Sequence, residues 1–362
     1  MRLIKKTIYI GLFLLLLLIP DAVSKTDQLI SEYNFGLLSW ELSSLLDEML
    51  ETNVKINENG CLDSGYRFDN FAKHDEGNAI QRSDYFQAVV KKSLYENGFD
   101  RIFPPVSTQI EKPPLILIFS PRDQILLERT GLLLPNMSNH EKEALESELA
   151  LLTNQSVFIE NLGGLGTYPS IVADNNSDLQ TLETIAHEWM HHWLFFKPLG
   201  RQYFKNSFSK QLNESVAQLV GKEIGIYAYE LVSVCYSNTT NQKTTEKQTS
   251  DFKKQYFFET IQKLRVKVDV LLSQGDVGQA EIIMESTAKT LIDNGYKLRK
   301  INQAYFAFHG LYGDDPGSNT NISKQLTDIR KEYDNLKSFM TAVGSIKTEK
   351  EFSQLYLELR KN

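Results

Sequence analysis

The chain has 362 residues, 41% of them hydrophobic and 23% charged, with 39 Lys+Arg against 46 Asp+Glu and a formal net charge of −7. That balance suits roughly two to three globular domains and excludes wholesale disorder, a collagen-like fibre and a polytopic membrane protein. An acidic chain without a basic cluster is not built around nucleic acid, and 2 cysteines exclude a disulfide scaffold or a four-cysteine zinc site.

The N-terminus reads as an address. Arg2, Lys5 and Lys6 precede an apolar run from Ile8 to Pro20, followed by the small residues Ala22, Val23 and Ser24. A basic start, a short apolar core and small residues describe a secretory signal peptide over residues 1–24, cut after Ser24. The run is shorter than the roughly 20 residues a membrane-spanning helix needs, and an uncleaved signal anchor that recruits flanking residues is the alternative. Either form places the protein outside the cytoplasm: secreted, periplasmic or at the cell surface, with membrane attachment through this segment if it is uncut. Cys61 and Cys235 can pair in such a compartment; two separate thiols are the alternative.

Residues 25–110 read as a mostly helical region. Leu29, Ile30, Leu37, Leu38, Leu45, Leu46 and Met49 recur at helical spacing over 27–52, a polar stretch follows from Asn53 to Asp69, and a second helix runs from Asp84 to Tyr95 and stops at Asn97-Gly98. In residues 111–236, Pro113 and Pro114 lead into an apolar strand from Leu115 to Phe119. A turn at Pro121–Asp123 precedes a helix near 138–152, with Ser138 and Glu141 placed for a capping box. Ser156–Ile159 reads as a further strand, and the glycine-rich segment from Asn161 to Gly166 as a flexible turn that lacks the Lys-Ser/Thr of a phosphate loop. Residues 237–250 are polar and of low complexity, hence a linker or surface loop. Residues 251–362 read as a helical domain, with helices at 251–273, 277–293, 298–312, 323–343 and 348–360.

Three of the 6 histidines fall between Glu183 and His192, and two of them form His187-Glu188-x-x-His191. Ser177 and Gln180 can open a helix there, Leu182, Ile185, Ala186, Trp189 and Trp193 supply its apolar stripe, and Pro198 and Gly200 close it. On a helix, positions four apart share a face, so His187 and His191 can present two neutral ring nitrogens to one metal ion. Glu188 stands beside them, placed to take a proton from water as a general base. The same five residues would arise by chance in about one such chain in a hundred. Without a metal, this would be two histidines on an amphipathic helix; its apolar stripe argues for burial, and buried histidines need partners.

A catalytic zinc needs a third protein ligand and an open position. Glu214, 23 residues after His191, lies in the apolar-faced segment from Leu212 to Glu223 and is the favoured ligand; Glu223 is the competitor. Gln218, one turn from Glu214, can hold the far nitrogen of a ligand histidine. His192 points elsewhere on the helix and reads as a support for the ligands or a structural residue, not as a ligand.

At His187, Glu188, His191 and Asn213-Glu214 the sequence resembles the gluzincin metallopeptidases, and more closely the bacterial aminopeptidase family of zincins. The resemblance covers about residues 150–360, and the HExxH and Asn-Glu pairs are its specific parts. It implies an α+β, mainly helical fold: a zincin-like catalytic domain with a small twisted sheet, then a helical C-terminal domain. It also implies one Zn2+ held by His187, His191 and Glu214, with Glu188 as the base that hydrolyses a peptide or protein substrate. The strand near 156–160 would be the sheet edge that pairs with the substrate. The related aminopeptidases carry Gly-x-Met-Glu-Asn before HExxH; here the nearest match is Glu160-Asn161 without that lead, so exo- and endopeptidase action stay open. Tyr305, His309, Tyr312 and Tyr168 are candidates for steadying the oxyanion, with core packing as their alternative role. The competing functions are a non-catalytic secreted or surface-anchored zinc-containing binding protein and a hydrolase of a non-peptide bond.

Overall fold

The computed structural model describes residues 24–48, 54–62, 82–174, 177–236 and 247–360. In chain order the elements are α1 (Lys25–Ser31), α2 (Leu37–Glu48), α3 (Arg82–Glu96), β1 (Thr108–Ile110), β2 (Leu115–Ser120), β3 (Arg129–Leu133) and α4 (Asn139–Thr153). Next come β4 (Ser156–Asn161), β5 (Gly164–Leu165), β6 (Ser170–Val172), α5 (Asp178–Phe195), α6 (Pro198–Arg201) and α7 (Ser207–Tyr236). The remainder is helical: α8 (Lys247–Ser273), α9 (Val277–Asp293), α10 (Gln303–His309), α11 (Ile322–Lys331), α12 (Leu336–Gly344) and α13 (Glu349–Leu359). The fold is therefore α+β and mainly helical, with two three-stranded sheets, ordered β3-β2-β4 and β1-β6-β5.

The β3-β2-β4 sheet is antiparallel and buried on both faces, as the unbroken apolar run of β2 requires. Leu115, Leu117, Phe119, Val157 and Ile159 face Leu145 and Leu149 of α4. Ile118 and Phe158 point the other way, into a core with α8, α9 and α10. The largest core joins α3, α5 and α7 to α11–α13, through Val89, Trp189, Val216, Leu326 and Phe339 among others. Hydrophobic cores thus run across the expected boundary at 237–250, and the C-terminal helices form the second wall of the sheet and of the α5–α7 pair.

Several expected elements come out differently. The helix expected over 27–52 is two helices, because the residues between them pair with the edge of β3: the Phe35 amide donates to Leu132 O at 3.0 Å and the Leu134 amide to Tyr33 O at 2.7 Å. The helix expected over 298–312 is only α10, capped by Asn302, whose side chain accepts from the Tyr305 amide. Residues before it run along β4, where Arg299 bonds Glu146 and Ile159 O. The 323–343 helix divides into α11 and α12, the second capped by Asn335. Of the expected linker, 247–250 are the first turn of α8, and 237–246 lie outside the described residues. The short strands β1, β3, β5 and β6 have no period-two signal of their own. The capping box of Ser138 and Glu141 is present as expected.

The expected signal segment at 1–23 lies outside the described residues; Ser24 is described and caps α1, accepting from the Asp27 amide at 3.1 Å. Among the described residues no helix is long and apolar enough to cross a membrane. Cys61 and Cys235 form a disulfide that ties residues 174 apart in sequence, pinning the 54–62 hairpin to the end of α7.

Candidate metal centre

The helix α5 starts where Ser177 accepts from the Gln180 amide at 3.4 Å, and it buries Leu182, Ile185, Ala186, Trp189, Met190, Trp193 and Leu194. That burial turns the other face, with His187 and His191, toward α7. Two glycines on α7 let the helices close up. A Cβ on Gly221 would stand 3.0 Å from His187 Cβ, and one on Gly225 would stand 2.6 Å from Glu183 Cα. Both glycines lie on the same face of α7 as Glu214, so the close approach carries Glu214 against the histidines.

The three ligand atoms form a nearly equilateral triangle. His187 Nε2 and His191 Nε2 are 3.0 Å apart, and Glu214 Oε2 lies 3.5 Å from the first and 3.4 Å from the second. Zinc bonds of about 2.0–2.1 Å at tetrahedral angles set ligand atoms about 3.3 Å apart, so the triangle fits such an ion. His191 Nδ1 donates to Asn213 Oδ1 at 2.9 Å, which leaves the Nε2 lone pair directed into the triangle. The Tyr203 hydroxyl donates to Glu214 Oε1 at 2.6 Å, which leaves Oε2 for the triangle. Two lone-pair nitrogens at that separation repel unless a shared proton or metal cation lies between them. Among the described residues this is the one group of histidine, cysteine and carboxylate side chains that converges in this way.

Charge follows the same geometry. Burial opposes ionisation of Glu214, but the two imidazoles hold its carboxyl well below the usual range. Burial would also lower His191, yet the Glu214 carboxylate raises it to about 9. These opposite shifts mark a carboxylate and an imidazole that each stabilise the other's charged form, an attraction that a divalent cation can take over.

Glu188 is buried and outside the triangle, and its carboxyl is held up by burial against the pull of the two histidines. It sits under the glycine-rich segment. A Cβ on Gly166 would lie 3.3 Å from Glu188 Oε2, and one on Gly164 would lie 2.8 Å from Thr184 Cγ2 and 2.9 Å from Glu188 Cδ. The segment expected as a flexible turn is therefore partly strand: Gly164 and Leu165 pair with Val172 and Ile171, and the glycines are there because Glu188 leaves no room for a side chain.

The edge strand beside the site also differs from expectation. β4 is an edge, but its outward groups are already used: Ile159 N donates to Glu146 Oε1 at 2.6 Å, Arg299 donates to Ile159 O, and Asn302 Nδ2 donates to Val157 O at 2.9 Å. It cannot pair with a substrate. The strand next to Glu188 is β5.

Other expected site residues separate cleanly. Glu223 is not a ligand: nine residues after Glu214 is two and a half turns, the opposite face, and both its oxygens bind Arg330, at 3.0 and 2.6 Å. Gln218 holds no histidine; its Oε1 is buried without a hydrogen-bond partner among the described residues, and Asn213 does that work. His192 is not part of the triangle; it bonds Thr167 O at 2.7 Å and packs on Tyr168. Burial lowers the His192 pKa, and because the Thr167 carbonyl can only accept, Nε2 carries the donated proton. Tyr305 packs on Phe158, and His309 is held by Asp315 at 3.0 Å. Of the four oxyanion candidates, Tyr312 is brought to the triangle, its ring 6.4 Å from that of His187 and its phenol pushed far up by burial near Glu214 and Glu188. Tyr203 was not foreseen: it lies in a short turn-rich stretch between helices, where no spacing rule points at Glu214.

Comparison of the chain with protein-family profiles, curated proteins and solved structures gave no match.

Proposed function

We propose that the protein is a zinc-dependent hydrolase of peptide bonds, with a zincin-like catalytic region that acts outside the cytoplasm. The observation that carries this reading is the triangle of His187, His191 and Glu214 with a buried, uncoordinated Glu188 beside it. A set of two imidazoles and one carboxylate suits zinc, and a structural site has no need of the extra base. Zinc held there would supply Lewis acidity, polarising the scissile carbonyl and making water a stronger acid.

The chain's own residues then divide the work. Asn213 and Tyr203 hold two of the ligands in one orientation. Glu188 takes a proton from the attacking water and passes it to the leaving nitrogen; burial, which raises its affinity for a proton, suits both transfers. The protonated phenol of Tyr312 donates a hydrogen bond to the developing oxyanion. The extended substrate lies along β5, against Glu188. The disulfide fits an oxidising compartment, as does a secretory signal read from the sequence of residues 1–24.

The test is direct. Purified protein soaked in zinc and gel-filtered should hold about one equivalent by elemental analysis. It should cleave a random peptide mixture in a chelator-sensitive way, and Glu188→Gln should keep the metal and lose cleavage. Metal-free protein after soaking sinks the site; a fully active Glu188→Gln variant sinks the role of Glu188.

A further inference from the structure

Next to the metal triangle, on the far side of the Tyr203 ring, lies a pocket of about 320 Å³. Ile125, Leu127, Phe306 and Leu311 make its apolar walls, and Lys205 stands exposed at its rim. Lys210 projects into it from α7. It lies one turn before Glu214 and therefore on the same face of the helix.

Lys210 has no direct ion pair among the described residues. It is half-buried, and its Nζ sits 5.2 Å from the centre of the Tyr203 ring. Of the other charges on the pocket wall, Arg265 donates to Asp269 at 3.0 Å, while Glu128 stands exposed at the rim, as Lys205 does, and accepts from the neutral amide of Gln155 at 2.5 Å. Glu214 is saturated by Tyr203 and the histidines. Desolvating an ammonium costs free energy; the Tyr203 ring and the more distant Glu214 return part of it, and no carboxylate among the described residues meets Lys210 directly.

We infer that this pocket seats a carboxylate of the substrate on Lys210. The inference rests on the peptidase reading of the adjacent centre and adds a substrate class to it: peptides that carry an acidic group a short way from the scissile bond. A single tyrosine ring separates the ammonium from the ligand carboxylate, a distance that about two or three extended residues cover. The carboxylate is either the peptide's C-terminus or an Asp or Glu side chain. The apolar walls take the carbon skeleton that carries it, and also strengthen the ion pair by excluding water.

The test uses the full-length, zinc-loaded Glu188→Gln protein, so that binding is read without turnover. Three fluorescent mixtures of short neutral peptides are titrated by anisotropy: one with free C-termini, one amidated, and one amidated with a single glutamate. One of the carboxylate-bearing mixtures should bind about tenfold tighter than the neutral amides. Lys210→Met should abolish the preference at unchanged zinc content, Lys210→Arg should restore it, and Lys205→Ala should leave it in place. Preference for free C-termini assigns the terminal carboxylate, and preference for the glutamate mixture assigns a side chain. Equal binding of all three, or a preference that survives Lys210→Met, overturns the inference. If the wild-type protein cleaves nothing while the Lys210-dependent preference stands, the peptidase reading falls and the pocket assignment remains; cleavage that ignores carboxylates does the reverse.

Discussion

The Tyr203 hydroxyl bonds Glu214 Oε1 at 2.6 Å, and the other oxygen of the same carboxylate faces both histidine nitrogens. One phenol thus decides which oxygen is available to a metal. Tyr203→Phe removes only that hydroxyl and leaves the ring that Lys210 and His191 pack against. The expected result is a roughly 10–100-fold loss of zinc affinity in chelator competition, with an unchanged circular dichroism spectrum. Unaltered zinc affinity would show that Glu214 is oriented without Tyr203.

Gly164 is the second contact to test. A methyl group there meets Thr184 and Glu188, both held by the buried helix α5, so something must shift. Gly164→Ala should cost about 1–3 kcal/mol in denaturant unfolding, the usual penalty of overpacking. It should also depress turnover far more than it depresses zinc content, because Glu188 moves and the ligands do not.

The disulfide closes a long loop, its cysteines 174 residues apart in sequence. In the chain-entropy account such a loop is worth about 5 kcal/mol. Replacing both cysteines by serine should lower unfolding free energy by about 2–5 kcal/mol, read at equal denaturant slope. Zinc stoichiometry at low temperature should not change, since the bond lies at the end of α7 opposite Glu214.

His309 gives a pH dependence with a definite sign. Burial alone would lower its pKa, but Asp315 at 3.0 Å and Glu160 at 3.8 Å raise it from 6.5 to about 9. The folded protein then holds this proton more tightly than the unfolded chain. Its stabilisation is complete below about pH 6.5 and disappears as pH rises through about 9. The stability difference between wild type and His309→Gln, followed by thermal unfolding across that window, should shrink steadily with rising pH. A flat difference would show that the cluster does not hold a proton.

The residues of the candidate metal triad were legible in the sequence because their geometry is local. His187 and His191 need only a helix, and the cap at Ser177 and the apolar stripe of α5 specify one. Glu214 was legible through the Asn-Glu pair and an apolar-faced helix, and Glu223 fails by simple helical phase, which places it on the face that meets Arg330. The long helices α3, α4, α5 and α9 were legible for the same reason, their burial repeating with the helical period, while α7, expected over 212–223, extends over Ser207–Tyr236.

What the sequence alone determined is therefore the helix framework and the identity of the three residues that converge, with Glu188 beside them. The tertiary structure decided what lies between them. Which strand faces Glu188, why β5 carries no side chain at Gly164, that Asn213 rather than Gln218 holds His191, and that Tyr203 and Lys210 adjoin the site all depend on contacts between distant segments. Such contacts are set by how closely helices approach, at Gly221 and Gly225, and by which backbone edges other side chains have already claimed, as Glu146, Arg299 and Asn302 claim β4. Neither quantity has a period along the chain, so no local pattern records it.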